Sequence, residues 1–242
     1  MRPVTRPRPA FATLGRETAA TPFSVRPSPM TLPHRTRLML VTPELAETEA
    51  FAPVFAAALA AGDVAAVVVR LAAADDRTRI ARAKPLIATA QEAGAAVLLS
   101  GDGVEDIIGK AGADGLHLAD PAMLRDMIER FSPDKIVGFA APRSRDAAME
   151  AGEAGADYLL LGLDGAEPWD AETIRDRTEW WAEIFEVPCA GFAGAIDDVA
   201  AIAGAGAEFV ALGDAVWRHE DGPAAAVAAA VAQISLGRAP TP

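Results

Sequence analysis

Residues 111–120 read AGADGLHLAD, residues 154–162 read AGADYLLLG and residues 205–213 read AGAEFVALG. In each stretch a glycine between alanines follows an alanine-rich helical pattern and precedes a short apolar run. Glycine suits the position just past a helix end, where the backbone turns left-handed. The acid after it is expected to face solvent at the N-terminal rim of the strand that follows. The three copies start 43 and 51 residues apart. That is too uneven for a solenoid, and it suits the even-numbered strands of a duplicated barrel.

Working outward, strand-like and helix-like segments alternate along the rest of the chain. LMLVT at Leu38–Thr42 is followed by a helical pattern over Glu44–Ala61. VAAVVVRL at Val64–Leu71 is followed by an amphipathic pattern over Asp75–Ala93. Strands then fall at Ala95–Ser100, Asp114–Leu118, Lys135–Ala140, Asp157–Gly162, Val187–Gly191 and Glu208–Leu212. Helices fall at Val104–Ala111, Pro121–Arg130, Arg143–Ala154, Ala171–Phe185, Ile196–Ala203, Asp214–Trp217 and Pro223–Leu236. Eight strand-plus-helix units make a closed (β/α)8 TIM barrel, of the α/β class. The strands are continuous apolar runs, as they are when both sheet faces are covered. An open doubly wound sheet lacks its Gly-x-Gly-x-x-Gly turn here.

Charge and composition set the boundaries. Residues 1–37 hold seven arginines, seven prolines and the single acid Glu17, so the barrel is more acidic than the whole-chain net charge of −12. The Arg/Pro-rich stretch is expected to be a disordered extension, with Met30 an alternative start. The domain is expected to span 38–236, with a tail at 237–242. The acidic balance argues against nucleic acid or an anionic membrane as the main partner. No apolar run approaches the roughly 18 residues that cross a bilayer. One cysteine, Cys189, in 242 residues excludes a disulfide framework and fits a cytoplasmic setting. It reads as a small buried hydrophobe.

A barrel carries its chemistry where strands end and βα loops begin. Those positions are Arg70; Ser100, Gly101 and Asp102; His117 and Asp120; Ala141, Pro142 and Arg143; Gly162 and Asp164; Gly191–Ala195; and Leu212, Gly213 and Asp214. Glycines that open helices after strands 7 and 8 offer bare backbone N–H groups to a phosphate. Gly191, Gly194, Leu212 and Gly213 are candidates for that role, and Gly162 and Arg143 are further phosphate contacts. The same glycines also serve plain tight turns. Asp102 and Asp120 together would hold a hard cation through oxygen. Asp120 before Pro121 equally reads as a helix cap. His117, inside its strand, is expected to close a hydrogen bond within the barrel. Trp169 is placed to stack on an aromatic heterocycle, or to fold back on the surface. The Ala-rich exterior with Trp180 and Trp181 suits a homodimer contact.

LMLVTP, the arginine leaving strand 2, AGADGLHLAD, EAGADYLLLG, VPCAGFAGAIDDV and GAGAEFVALGDAVW stand in one order and spacing. Together they resemble the thiamine phosphate synthases and the related thiazole tautomerase-like barrels, over residues 38–236. The resemblance implies that hydroxymethylpyrimidine diphosphate and thiazole phosphate are joined, with Mg²⁺ and basic residues receiving the departing pyrophosphate. Its substrates would be small phosphorylated heterocycles. It assigns catalytic roles to Arg70 and Asp102, and metal binding to Asp102.

Several positions depart from the family pattern. Of a Gln-x-Arg-x-Lys grip only Arg70 remains, between Val68 and Ala72. An Asn-Asp-Arg motif is Gly101-Asp102-Gly103. The second metal aspartate is Ala122, with Asp120 two positions earlier. A Ser and a His after strand 5 are Ala140 and Pro142, and the loop Leu163–Trp169 has neither Thr nor Lys. Two other readings follow from these losses: a thiazole tautomerase-like or other phosphate-ester enzyme, and a catalytically inactive barrel that binds a phosphorylated ligand.

Overall fold

The computed structural model describes residues 35–163 and 169–237. Strands β1 (Arg37–Val41), β2 (Val64–Arg70), β3 (Ala96–Ser100), β4 (Gly115–Leu118), β5 (Ile136–Ala141), β6 (Tyr158–Leu161), β7 (Cys189–Ala193) and β8 (Phe209–Leu212) form a closed barrel in sequence order. Every neighbouring pair is parallel, and β1 closes on β8 through Leu38↔Val210 and Leu40↔Leu212. Helices α1 (Ala52–Ala60), α2 (Asp76–Glu92), α3 (Ile108–Ala111), α4 (Pro121–Phe131), α5 (Arg145–Ala154), α6 (Ala171–Ile184), α7 (Val199–Gly204), α8 (Asp214–Trp217) and α9 (Pro223–Gly237) surround it. This is the expected TIM barrel.

Strand side chains alternate between two apolar layers. Met39, Val68, Leu98, Tyr158, Leu160 and Phe209 fill the barrel interior. Their neighbours in sequence, such as Leu40, Val67, Leu99 and Leu159, pack outward against the helices. Both sets are almost wholly removed from water. Aspartate or serine caps start the helices that leave the strands. Asp75, Asp120, Ser144 and Asp170 each accept a backbone N–H from the first turn of α2, α4, α5 and α6.

Four differences from the sequence reading have physical causes. The acids of the repeated motif do not face solvent. Asp114 accepts the Val97 N–H at 2.8 Å, Asp157 the Val137 N–H at 2.8 Å and Glu208 the Cys189 N–H at 2.9 Å. Each carboxylate thus takes a free N–H at the foot of the preceding odd strand. Asp63, before β2, performs the equivalent task for β1 by binding the Arg37 guanidinium at 2.6 Å. Burial pushes the Asp157 carboxyl above its ordinary range, against the hydrogen bond from Val137.

The helix expected from Glu44 starts only at Ala52, because Leu45 is held as a bridge to Leu71 beside the end of β2. Order begins before residue 38: Arg37 opens β1, and the Thr36 hydroxyl donates to the Ala207 carbonyl. The rest of the Arg/Pro-rich stretch, residues 1–34, and the tail from 238 lie outside the described residues. Finally, Trp181 is wholly buried, with its Nε1 donating to the Val187 carbonyl at 2.7 Å, so it offers no surface to a second copy. No helix among the described residues is long and apolar enough to cross a membrane.

Replacing Asp114 with alanine strands the Val97 N–H and removes one of two acceptors of the Gln91 amide, which keeps the Gly112 carbonyl at 3.0 Å. Urea unfolding of Asp114→Ala is expected to show a loss of about 1–3 kcal/mol, the cost of leaving a buried donor unpaired. Asp114→Asn, which keeps an acceptor, is expected to lose less.

Candidate active site at the barrel mouth

The C-terminal ends of the strands form the mouth. Arg70, the last residue of β2, follows Ala66 and Val68 in inward-facing register. Its backbone N–H donates to the buried Thr42 hydroxyl at 3.0 Å, while its carbonyl receives Leu45 N–H at 2.9 Å. The backbone of Arg70 is therefore fixed from the β1 side. Its exposed guanidinium pairs with no carboxylate among the described residues. Ser100, opposite Arg70 in the ladder, shares the inward parity of Ala96 and Leu98.

Below this cation lies a buried polar pair. His117 Nδ1 shares a hydrogen bond with the Tyr158 hydroxyl at 2.8 Å, and the two rings stack at 5.7 Å. Gly138, on the strand between them, makes room: a Cβ there would sit 2.1 Å from the Tyr158 ring. Burial, with the nearby Arg70 charge as the lesser cause, depresses the His117 pKa from 6.5 to about 4. Burial likewise pushes the Tyr158 hydroxyl far up. The histidine is neutral near pH 7, and it closes a bond within the barrel as expected.

The two candidate metal ligands stand on neighbouring strands. Asp102 lies just beyond β3 in the turn Gly101-Asp102-Gly103, with its side chain exposed. Asp120 follows β4, and its Oδ1 accepts the Ala122 N–H at 2.9 Å as the cap of α4. One of its two oxygens is thus committed to the helix. Among the described residues no group of three His, Cys, Asp or Glu side chains forms a metal cluster.

The glycine candidates divide. Gly213 faces the mouth, where a Cβ would lie 3.3 Å from the Phe192 ring. Phe192, inward on β7, thereby forms an aromatic wall beneath that turn. Gly194 opens onto space, with only the Asp198 carboxylate 3.9 Å from a Cβ position. The next N–H, of Ala195, is already taken by Asp198 at 3.2 Å. Gly162 (φ +103°) lets the chain leave β6 against Ile174 and Phe192. Leu212 turns its side chain into the helix-facing layer, so only its backbone reaches the rim.

Gly191 does not reach the rim at all. Strand β7 starts and ends two residues later than the sequence pattern indicates, and Gly191 is laddered to Leu161 and Val210 inside it. Its missing side chain admits Ile202 and Thr178, since a Cβ would lie 2.4 Å from the Ile202 methyl. Close packing against α6 and α7 is its role.

Trp169 takes the second of its two readings and folds back against the barrel, with Arg143 beside it. Trp169 is buried, and the Arg143 and Arg177 guanidiniums lie 5.6 and 5.7 Å from its ring centre. It is not free to stack on a heterocycle. Arg177 reaches back to donate to the Arg143 carbonyl at 2.7 Å, which fixes the start of α5. Asp164 lies outside the described residues. Cys189 is buried and its thiol is pushed up by that burial, as a hydrophobe's would be. Thr42, Tyr158 and Arg79 (on α2) were not among the sequence candidates, and nothing local marks them; Phe192 fell within Gly191–Ala195, though without a role of its own.

A family model described as thiamine monophosphate synthase matches residues 38–216. The chain belongs to that family. It is 37% identical over 197 residues to the thiamine-phosphate synthase of Rhodospirillum centenum, covering 79% of this chain and 94% of that one. The corresponding protein of Hyphomonas neptunium is 37% identical over 209 residues, covering 81% and 92%. In structure the barrel is similar to thiamine phosphate pyrophosphorylase from Pyrococcus furiosus, with a TM-score of 0.70 over 86% of this chain and 99% of that one, at 23% identity.

The His117 shift has a measurable consequence. Between pH 6.5 and 4 the unfolded chain holds a proton on this ring that the folded chain refuses. Its contribution is complete above pH 6.5 and is lost as pH falls toward 4, about 3 kcal/mol in total. Urea unfolding across that window is expected to show this slope in the native chain and to lack it in His117→Asn.

Proposed function

We propose that the barrel mouth joins hydroxymethylpyrimidine diphosphate to thiazole phosphate with release of pyrophosphate, as a step in thiamine biosynthesis. The observation that carries this reading is the unpaired guanidinium of Arg70, fixed at the backbone by Thr42 and one strand away from Asp102. The bond between the pyrimidine methylene carbon and the diphosphate oxygen breaks, and its electron pair leaves with pyrophosphate. The thiazole ring nitrogen then supplies the pair that forms the new carbon–nitrogen bond. No proton need move to the leaving group if its charge is met in place.

Arg70 meets that charge, and the neutral His117–Tyr158 pair beneath it keeps the site floor uncharged near pH 7. Phe192, the open turn at Gly194 and the turn at Gly213 suit the flat thiazole and its phosphate. Arg143 adds positive charge at the rim, held over Trp169.

Asp102, with the free oxygen of Asp120, would hold Mg²⁺ against the diphosphate. Magnesium is commonly bound by one or two carboxylates plus substrate phosphates and water, so this donor pair fits it. When bound, it neutralises charge on the leaving diphosphate.

The full chain incubated with both substrates and Mg²⁺ is expected to form thiamine phosphate, followed by oxidation to its fluorescent product. Arg70→Ala and Asp102→Ala are each expected to lower turnover by about 10²-fold or more. Thiazole phosphate that binds and protects against heat without any turnover would instead support the inactive ligand-binding barrel. Binding followed by isomerisation of a thiazole phosphate alone would support the tautomerase-like reading.

A further inference from the structure

The turn that carries Asp102 is held from outside the mouth. Arg79 sits near the start of α2, yet its side chain is only 9% exposed, an unusual place for a guanidinium. Its Nη1 donates to the Asp102 carbonyl, and its Nη2 pairs with Asp76 Oδ1 at 2.7 Å. Its Nε is buried without a partner among the described residues. An apolar side chain would avoid that loss, so packing alone does not account for an arginine here.

The glycines on either side of Asp102 complete the arrangement. Gly101 has φ +132°, and a Cβ there would lie 2.6 Å from the Leu71 carbonyl oxygen. Gly103 has φ +69°, and a Cβ there would lie 3.3 Å from both terminal nitrogens of Arg79. At Gly101 neither conformation nor space admits a side chain, and at Gly103 one would be strained and would crowd the guanidinium. The turn is pressed against the end of β2 on one side and against the guanidinium on the other. With its carbonyl drawn inward to Arg79, Asp102 keeps its carboxylate exposed at the rim.

We infer that Arg79 is a positioning residue for Asp102, setting the carboxylate where a divalent cation and a diphosphate meet. This rests on the proposed role of Asp102. A planar guanidinium can bind the turn and Asp76 at once through separate nitrogens, which a lysine ammonium does less well. Without it, the glycine-flanked turn is free to adopt other backbone conformations, and the carboxylate loses its fixed position.

The test uses Mn²⁺ as a spectroscopic probe with inorganic pyrophosphate, and reads bound Mn²⁺ by electron paramagnetic resonance on the full chain. Thiazole phosphate affinity is measured in parallel by calorimetry, because that ligand is assigned to the β7 and β8 side. The native chain is expected to bind Mn²⁺–pyrophosphate. Arg79→Gln is expected to weaken that binding at least tenfold, with thiazole phosphate affinity within twofold of native, and Arg79→Lys to recover only part of it. Gly103→Ala keeps Arg79 but crowds it and strains the turn, and it is expected to shift Mn²⁺ binding in the same direction. It also covers the case in which Arg79→Gln does not fold. Native-level Mn²⁺–pyrophosphate binding in Gly103→Ala and a folded Arg79 variant would overturn the inference. So would an equal fall in both affinities, which marks a general structural role. Failure of the native chain itself to bind Mn²⁺–pyrophosphate would remove the proposed metal site, and Arg79's role with it.

Discussion

The barrel depends on a hydrogen bond made at the foot of alternate strands. A parallel strand that begins at a rim has N–H groups with no neighbour to receive them, and burying them unpaired is costly. Here the acid just before β4, β6 and β8 supplies the acceptor, to Val97, Val137 and Cys189 in turn. Asp114 and Asp157 also return the bond, since their own N–H groups donate to the Val97 and Val137 carbonyls at 2.9 Å. Each even strand is thereby fixed in register to the odd strand before it. Asp63 does the same for the seam where β1 and β2 meet, through Arg37. Closure of β8 on β1 needs these registers to agree around the ring, because a closed sheet has no free edge to absorb a slip.

That fixing at the foot leaves the other end of the barrel free to vary. Conserving register does not require any particular side chain at the C-terminal rim, so stability and chemistry occupy opposite ends of the same strands. The rim here carries few cations, while the scaffold runs unbroken from Arg37 to Gly237 over the described residues. Helix starts follow the same division: Asp75, Asp120 and Asp170 each give carboxylate oxygen to a first turn, which contributes to stability at the rim itself. For Asp120 the two tasks compete, since an oxygen that caps α4 is not available to a cation.

The fold was readable in the sequence because its signals are local. The Gly-Ala-acid triplets mark helix ends and strand starts within four residues, and the left-handed φ of Gly112, Gly155 and Gly206 is what their position demands. The destination of the acids was not readable, because the partner N–H belongs to a strand about twenty residues earlier and only the closed ladder brings it near. Gly191 illustrates the same limit at smaller scale: a two-residue shift of β7 turns an expected rim glycine into one that admits Ile202. Trp169, Tyr158 and Arg79 act through contacts between elements, which no periodicity within one element reports. The family resemblance supplied the roles of Arg70 and Asp102, where composition and spacing alone left a general phosphate-binding barrel.

A rim with few cations constrains how its groups act. A departing diphosphate develops charge in the transition state, and each donor aimed at it is worth roughly 10²–10³ in rate. Fewer donors can be offset only by holding the remaining ones in place, since a side chain that must reorganise gives back part of its stabilisation. Two contacts in the structure fit that requirement. Thr42 fixes the backbone of Arg70, and glycines at 101 and 103 admit a guanidinium from α2 that holds Asp102. The turn itself carries little side chain, and a guanidinium braces it from behind. On the proposed reading, a site held rigid with few charges gives up transition-state stabilisation more than ground-state binding, so its deficit falls on turnover.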